Sequence, residues 1–126
     1  MKDKRILVVD DDKNLIDLIT QVLSIYNITY DTACSGVDAF EKIKQNFYHM
    51  IISDVKMPKM DGIELLNKIR EFQKDSEQKS KVTLMTAYAS SDIITMANHK
   101  GMDYLLEKPF EISSLVEHIK KTLQEL

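Results

Sequence analysis

Cysteine is nearly absent from this chain. Cys34 stands alone, so no disulfide can close within the chain, and one thiol with three scattered histidines cannot build a zinc cluster. The lone thiol points to a reducing compartment. Long apolar runs are missing as well: none approaches the ~20 residues that a membrane span requires. The opening "MKDKRILVVD" begins with charges, but its apolar stretch is too short for a signal peptide and Asp10 interrupts it. A cytoplasmic location without membrane contact is therefore expected. A basic block is also lacking. The formal net charge is −3 and the Lys and Arg residues are spread out, which argues against direct nucleic-acid binding by this chain. There is no internal repeat and no low-complexity segment. What remains is 126 residues, 44% apolar and 29% charged, the composition of one ordinary globular domain, 1–126, able to bury a real core. Nothing after Leu126 shows a further domain, so the expectation is either a stand-alone domain or a piece of a longer protein.

The pattern alternates between two periods. "RILVV" (5–9) is a continuous apolar run, as in a strand covered on both faces. Leu15, Ile16, Ile19, Val22, Leu23 and Tyr26 then recur at helical spacing, with Asp12 where that helix needs a cap. "ITYDTAC" (28–34) alternates like a strand nearer an edge, and residues 35–46 read as a helix with Val37, Phe40 and Ile43 inward. "HMIIS" (49–53) is a third strand. A loop marked by Pro58 and Gly62 leads to an amphipathic stretch over 63–72, and the polar segment 73–81 reads as a solvated connection. "VTLMT" (82–86) is a fourth strand. A helix over 90–101 follows, with Ser90 or Ser91 near its cap and Gly101 near its end. A short strand, "YLLE" (104–107), precedes a last helix carrying Ile112, Leu115, Ile119 and Leu123 on one stripe. Five such β–α units imply an α/β fold: a doubly wound parallel sheet with helices on both faces and right-handed crossovers.

In sheets of this kind, sites lie at the carboxyl ends of the strands. Asp10 and Asp11 follow the first strand, Asp54 the third, Thr86 ends the fourth, and Lys108 with Pro109 follows the fifth. Adjacent carboxylates repel and lose water in a crevice, a cost that a hard cation offsets. Mg²⁺ prefers oxygen ligands and is usually held by one or two carboxylates plus phosphate. An ammonium and a hydroxyl suit phosphoryl oxygens, and a carboxylate can itself attack phosphorus.

"ILVVDDD", "SDVKMPKMDG", "LMTAY" and "EKPF", in that order and spacing, resemble the response-regulator receiver domain of two-component signalling over about residues 5 to 125. The resemblance implies a flavodoxin-like (βα)5 fold with five-stranded sheet order 2-1-3-4-5. It implies that Asp54 is the phosphoacceptor, that Asp11 binds Mg²⁺ directly and Asp10 through water, and that the backbone carbonyl of Lys56 is a further ligand. Thr86 and Lys108 would each bind a phosphoryl oxygen, and the Lys108–Pro109 peptide would be cis, a form that is cheap only before proline. The implied partners are a sensor histidine kinase or phosphotransfer protein, and a downstream protein or missing output domain reached through the 90–121 face. A phosphorylation-dependent homodimer is a further implied assembly. Such a domain catalyses only its own phosphorylation and dephosphorylation, and is no enzyme in the ordinary sense. The lack of an arginine-rich final helix sets the chain apart from winged-helix DNA-binding relatives and closer to phosphorelay or enhancer-binding types.

The sequence departs from the family at its switch. An aromatic residue usually stands three before the lysine; here that position is Leu105, with Tyr104 one earlier. Neighbours on a strand face opposite sides, so Tyr104 is no simple substitute unless the strand shifts by one residue. Lys56 and Tyr88, two residues after Asp54 and Thr86, are bulky at positions that in the family flank the path of the hydrolytic water, which implies slow self-dephosphorylation. Met57 and Met60 read as loop packing, and His49, His99 and His118 as structural or surface residues without metal-ligand spacing. Two rival readings stand beside this one. A pseudo-receiver would scaffold partners without being phosphorylated. A haloacid-dehalogenase-type phosphatase would use Asp10 as nucleophile and Asp12 as acid in "DDDKN", but Asn14 breaks the end of that motif. A flavin binder of the same architecture would need a phosphate-cradling loop after the first strand, where "DDDKN" repels phosphate.

Overall fold

The computed structural model describes residues 4–126. Strands and helices alternate throughout: β1 (Arg5–Val9), α1 (Lys13–Ile25), β2 (Thr29–Ala33), α2 (Gly36–Gln45), β3 (Met50–Asp54), α3 (Gly62–Phe72), β4 (Lys81–Thr86), α4 (Ser91–His99), β5 (Tyr104–Glu107) and α5 (Ile112–Gln124). All neighbouring strands pair in parallel, and the sheet order is β2-β1-β3-β4-β5. The alternating pattern anticipates the parallel sheet, and the family resemblance its strand order. The order puts β3 in the centre between β1 and β4, so the tips of β1, β3 and β4 are adjacent, with β5 beside β4.

Two apolar layers flank the sheet. On one face Leu7, Val9, Ile51, Val82 and Leu84 pack with Ala39 and Ile43 of α2, Leu65, Leu66 and Ile69 of α3, and Ala97 of α4. On the other, Ile6, Val8, Met50, Ile52 and Met85 meet Ile16, Ile19 and Leu23 of α1 and Leu115, Ile119 and Leu123 of α5. Successive strand residues thus feed opposite layers, which is why β1 and β3 read as unbroken apolar runs. Each fully buried Leu or Ile is worth roughly 1.5–3 kcal/mol, and these two layers hold the fold together.

Local signals set the helix starts. The Asp12 side chain accepts from the Asn14 and Leu15 amides, Ser35 from Asp38, and Ser90 from Ile93. Asp61 and Glu64 form a reciprocal capping box at α3. Gly101 follows α4 at φ +91°, the left-handed conformation that glycine adopts without steric cost.

Three expectations need correction. Val37 is not inward but exposed: α2 buries Gly36, Ala39 and Ile43, with Phe40 partly covered, and that face leaves Val37 outside. Tyr26, just past the end of α1, is likewise largely exposed, its ring lying under the Lys120 ammonium at 3.7 Å. The segment 73–81 is not uniformly solvated. Gln73 and Ser80 are buried; the Gln73 amide donates to Ser80 Oγ and Gln73 Oε1 accepts from the Ser80 amide, while Ser80 Oγ donates to the Tyr48 carbonyl. Those bonds close the polar loop from within.

Candidate functional site

Two strand tips deliver the three acidic groups. Asp10 directly follows β1 and is 1% exposed, and Asp54 is the last residue of β3 and is 7% exposed. Asp11 is exposed beside them. One carboxylate oxygen from each of Asp10, Asp11 and Asp54 lies within 4.8 Å of the others. From β5, the Lys108 ammonium reaches across the rim to Asp54 Oδ1 at 3.0 Å and to Asp10 Oδ2 at 3.3 Å. Asp10 Oδ1 also accepts from the Asp12 amide at 2.9 Å, so both of its oxygens are occupied. Asp12 itself caps α1. Of the three successive aspartates, two therefore face the site and one starts a helix.

Backbone contacts hold this geometry. The Val55 amide donates to the Met85 carbonyl at 2.8 Å, and the Lys108 amide to the Thr86 carbonyl at 2.7 Å, so the chain leaving β3 is tied to β4, and β4 to Lys108. The Lys108–Pro109 peptide is cis. Gly62 lets α3 begin directly against the tip of β3: its amide donates to the Val55 carbonyl at 2.8 Å, and a Cβ there would come within 2.3 Å of the Asp54 carbonyl oxygen. Lys56 is exposed between them.

Burial dominates the electrostatics. It pushes the Asp54 carboxyl above its ordinary value, against the Lys108 hydrogen bond and charge, which pull it down, while the Asp11 charge adds to the rise. Burial also raises Asp10; the Asp12 amide and Lys108 offset part of that, and the Asp54 charge adds to it. For Lys108, burial works to lower the value, but the hydrogen bond to Asp54 and the two negative charges more than reverse it. The pocket thus holds two carboxyls raised by burial around one ammonium raised by their charge. Its donor set is all hard oxygen, which fits a cation such as Mg²⁺.

Thr86, at the end of β4, is buried. Its hydroxyl donates to the Tyr88 carbonyl at 3.1 Å and accepts from the Tyr88 amide at 3.2 Å. The Tyr88 side chain is 74% exposed. On β5 the register is regular, with Tyr104 opposite Thr83 and Leu105 opposite Leu84. Leu105 packs against the layer covered by α2, α3 and α4. Tyr104 points to the other side and stacks on His118 of α5, with ring centroids 4.0 Å apart. No one-residue shift brings Tyr104 to the Leu105 position. His118 is partly buried and shares a 2.8 Å hydrogen bond with the Thr83 hydroxyl; burial, aided by the Lys121 charge, lowers its pKa. This Thr83–His118–Tyr104 contact escaped the sequence reading. Its only sequence signal is the pairing of Thr83 and Tyr104 across two strands, which requires the register to be known.

The profile of the response regulator receiver domain matches residues 6–120. A transcriptional regulatory protein CpxR homolog from Haemophilus influenzae is 32% identical over 120 residues, covering 95% of this chain and 50% of the relative. Response regulator ArlR of Staphylococcus aureus is 30% identical over 121 residues, covering 95% and 52%. The chain thus spans about half the length of these curated relatives. Among solved structures, a CheY-like receiver domain protein from Methanospirillum hungatei superimposes with a TM-score of 0.89 at 32% identity, covering 97% of this chain and 94% of that one. The beryllofluoride-activated NtrC4 receiver domain dimer gives a TM-score of 0.85 at 34% identity, covering 99% and 98%.

Proposed function

The chain belongs to the response regulator receiver domain family of two-component systems, and from that premise we propose that residues 1–126 act as one phosphoacceptor domain with Asp54 as the acceptor. The observation that carries this is the Lys108 ammonium held 3.0 Å from Asp54 Oδ1 inside a rim of three carboxylates. An Asp54 carboxylate oxygen forms the new O–P bond while the P–N bond of a phosphohistidine donor breaks, and the leaving imidazole takes up a proton from solvent. Lys108 is already placed to follow a phosphoryl oxygen, at the expense of part of its contact with the carboxylate. Thr86 can donate to another by releasing the Tyr88 carbonyl.

Asp11 and Asp54 would hold Mg²⁺ directly, with Asp10 through water and the Lys56 carbonyl as a further ligand. When bound, the ion supplies positive charge to carboxylates and phosphoryl oxygens together. Asp10 also fixes Lys108 from the other side of the rim. Lys56 and Tyr88, both exposed, are the residues proposed to shield the acyl phosphate from water.

The partners proposed are a sensor histidine kinase or phosphotransfer protein upstream, and downstream a protein or attached output domain that reads the 90–121 face, with a homodimer of the phosphorylated form as one output. A cytoplasmic location suits these partners; among the described residues no helix is long and apolar enough to cross a membrane. The phosphatase alternative is not favoured, because the Asp12 that it needs as an acid is engaged in capping α1. The scaffold alternative leaves the Lys108–Asp54 pairing without a purpose.

Incubation with acetyl phosphate and Mg²⁺, followed by intact mass, tests the proposal. The wild type should gain one phosphoryl group; Asp54→Ala and a chelator-treated wild type should gain none. Label of equal extent on Asp54→Ala would overturn the assignment.

A further inference from the structure

The two ends of α4 are held very differently. At its carboxyl end, Arg70 of α3 spreads its guanidinium over two backbone carbonyls and one carboxylate. Nε and Nη2 donate to the Gly101 carbonyl at 3.1 and 2.7 Å, Nη1 to the Ser80 carbonyl at 2.7 Å, and Nη2 also to Asp103 Oδ2 at 2.7 Å. Asp103 Oδ2 in turn accepts from the Val82 amide at 2.8 Å, and the Asp103 amide donates to the Val82 carbonyl. One side chain thus fastens the turn after α4 to both α3 and the start of β4. Charge-assisted bonds of this kind are the strong ones. At the amino end, residues 87 and 88 are exposed; among the described residues the Thr86 hydroxyl alone holds the Tyr88 backbone, and the Ser90 cap bonds within α4 itself, to the Ile93 amide. Along α4 itself Ala97 is the one fully buried residue; Ile93 is partly buried and Ile94 and Met96 are exposed.

We propose that Arg70 is a positioning residue that makes the carboxyl end of α4 a fixed pivot, so that α4 behaves as a lever whose free end is the one next to Thr86. The role of that lever in signalling rests on the phosphoacceptor reading; the pivot itself belongs to the resting chain. Movement of Thr86 would then swing the amino half of α4 without sliding the helix or changing the entry into β5. The hinge requires an arginine, because a lysine ammonium cannot bridge Gly101, Asp103 and Ser80 in one plane.

Residue-resolved amide hydrogen exchange on the full chain, without metal or phosphoryl donor, reads the pivot. In the wild type the amides of Gly101, Met102 and Asp103 should exchange more slowly than those of Ile93 and Ile94. In Arg70→Gln the first group should exchange about tenfold faster or more, as loss of several bonds to a charged group implies, while Ile93, Ile94 and the strands β1 and β3 stay within about twofold, well inside the spread of local opening energies. Arg70→Lys should behave like the glutamine variant. A uniform rise across the chain, or no change at 101–103, would overturn the pivot. A second arm adds acetyl phosphate and Mg²⁺ to the wild type: exchange should change at 87–94 and stay fixed at 101–103, and an equal change in both would also overturn it. Absence of label by mass would count against the phosphoacceptor reading alone, since the resting comparison still decides the pivot.

Discussion

Asp10 combines near-complete burial with two hydrogen-bond donors and a neighbouring carboxylate. Its raised pKa means that in the fold it keeps its proton to higher pH than in the unfolded chain, so between the ordinary value of 3.8 and the raised one the folded form binds more protons. Stability contributed at this position therefore falls as pH rises through that window and stays low above it. Asp10→Asn keeps an acceptor for the Asp12 amide and removes the charge. Without divalent cation at pH 7 its melting temperature should rise by about 3–5 °C, the shift that about 1 kcal/mol gives a domain of this size; the gain should shrink toward pH 4, and Mg²⁺ should stabilise the wild type more than the variant. Calorimetry across pH with and without Mg²⁺ checks this, and a gain independent of pH would contradict it. At the rim, Lys56 and Tyr88 make a kinetic prediction. If they screen the acyl phosphate, the Lys56→Ala/Tyr88→Ala double variant should lose label about tenfold faster than the wild type, the order expected when one route of water attack is opened. Equal decay rates by intact mass would remove both residues from that role. Tyr88's main-chain bonds to Thr86 are not legible from the chain, because a hydroxyl's choice between solvent and a backbone two residues on depends on the loop's conformation.

At the scale of elements, the site depends on how closely helices approach strand tips. Gly62 permits such an approach to the tip of β3, and Gly36 lets α2 approach Met60 in the loop before α3; the two predict different outcomes. A Cβ at Gly62 would meet the Asp54 backbone at 2.3 Å, where nothing can yield without moving β3 or α3; at Gly36 it would meet Met60 at 2.9 Å, partly through a flexible side chain. Gly62→Ala should therefore destabilise by about 3 kcal/mol or more and Gly36→Ala by about 1–2 kcal/mol, following the usual costs of overpacking. Urea unfolding of the two variants checks the order, and equal losses would show that α3 can retreat from Asp54 freely. Element types were legible because each follows from a local period: unbroken apolar runs for central strands, three-to-four spacing for helices, and a side-chain cap before α1 and α4. The failures came where a tertiary contact overrides that local signal. Val37 is apolar yet lies off the buried face of α2, and Gln73 and Ser80 are polar yet buried because they satisfy one another and Tyr48. Neither fact is written in a window of neighbouring residues.

Across the whole molecule, function arises from topology more than from any one segment. Asp10, Asp54, Thr86 and Lys108 are separated by up to 98 residues along the chain, and the order β2-β1-β3-β4-β5 gathers the tips that carry them on one rim. The sequence supplied the residues and the strand ends; the strand order came from family resemblance, because parallel-sheet order is a property of crossovers that no single strand encodes. The same topology keeps Leu105 and Tyr104 in different layers, so Tyr104 does not stand in for an aromatic at the Leu105 position, and the proposed α4 lever would lead away from the site along another route. The central claim, that this rim directs a phosphoryl group onto one carboxylate, is open to direct chemical test. Protein treated with acetyl phosphate and Mg²⁺ is reduced with borohydride, which converts an aspartyl phosphate to homoserine, and then digested and mapped by peptide mass. Homoserine should be found at position 54 and nowhere else; homoserine at position 10 or 11, or an unreduced Asp54 in protein that carries the label, would contradict the account.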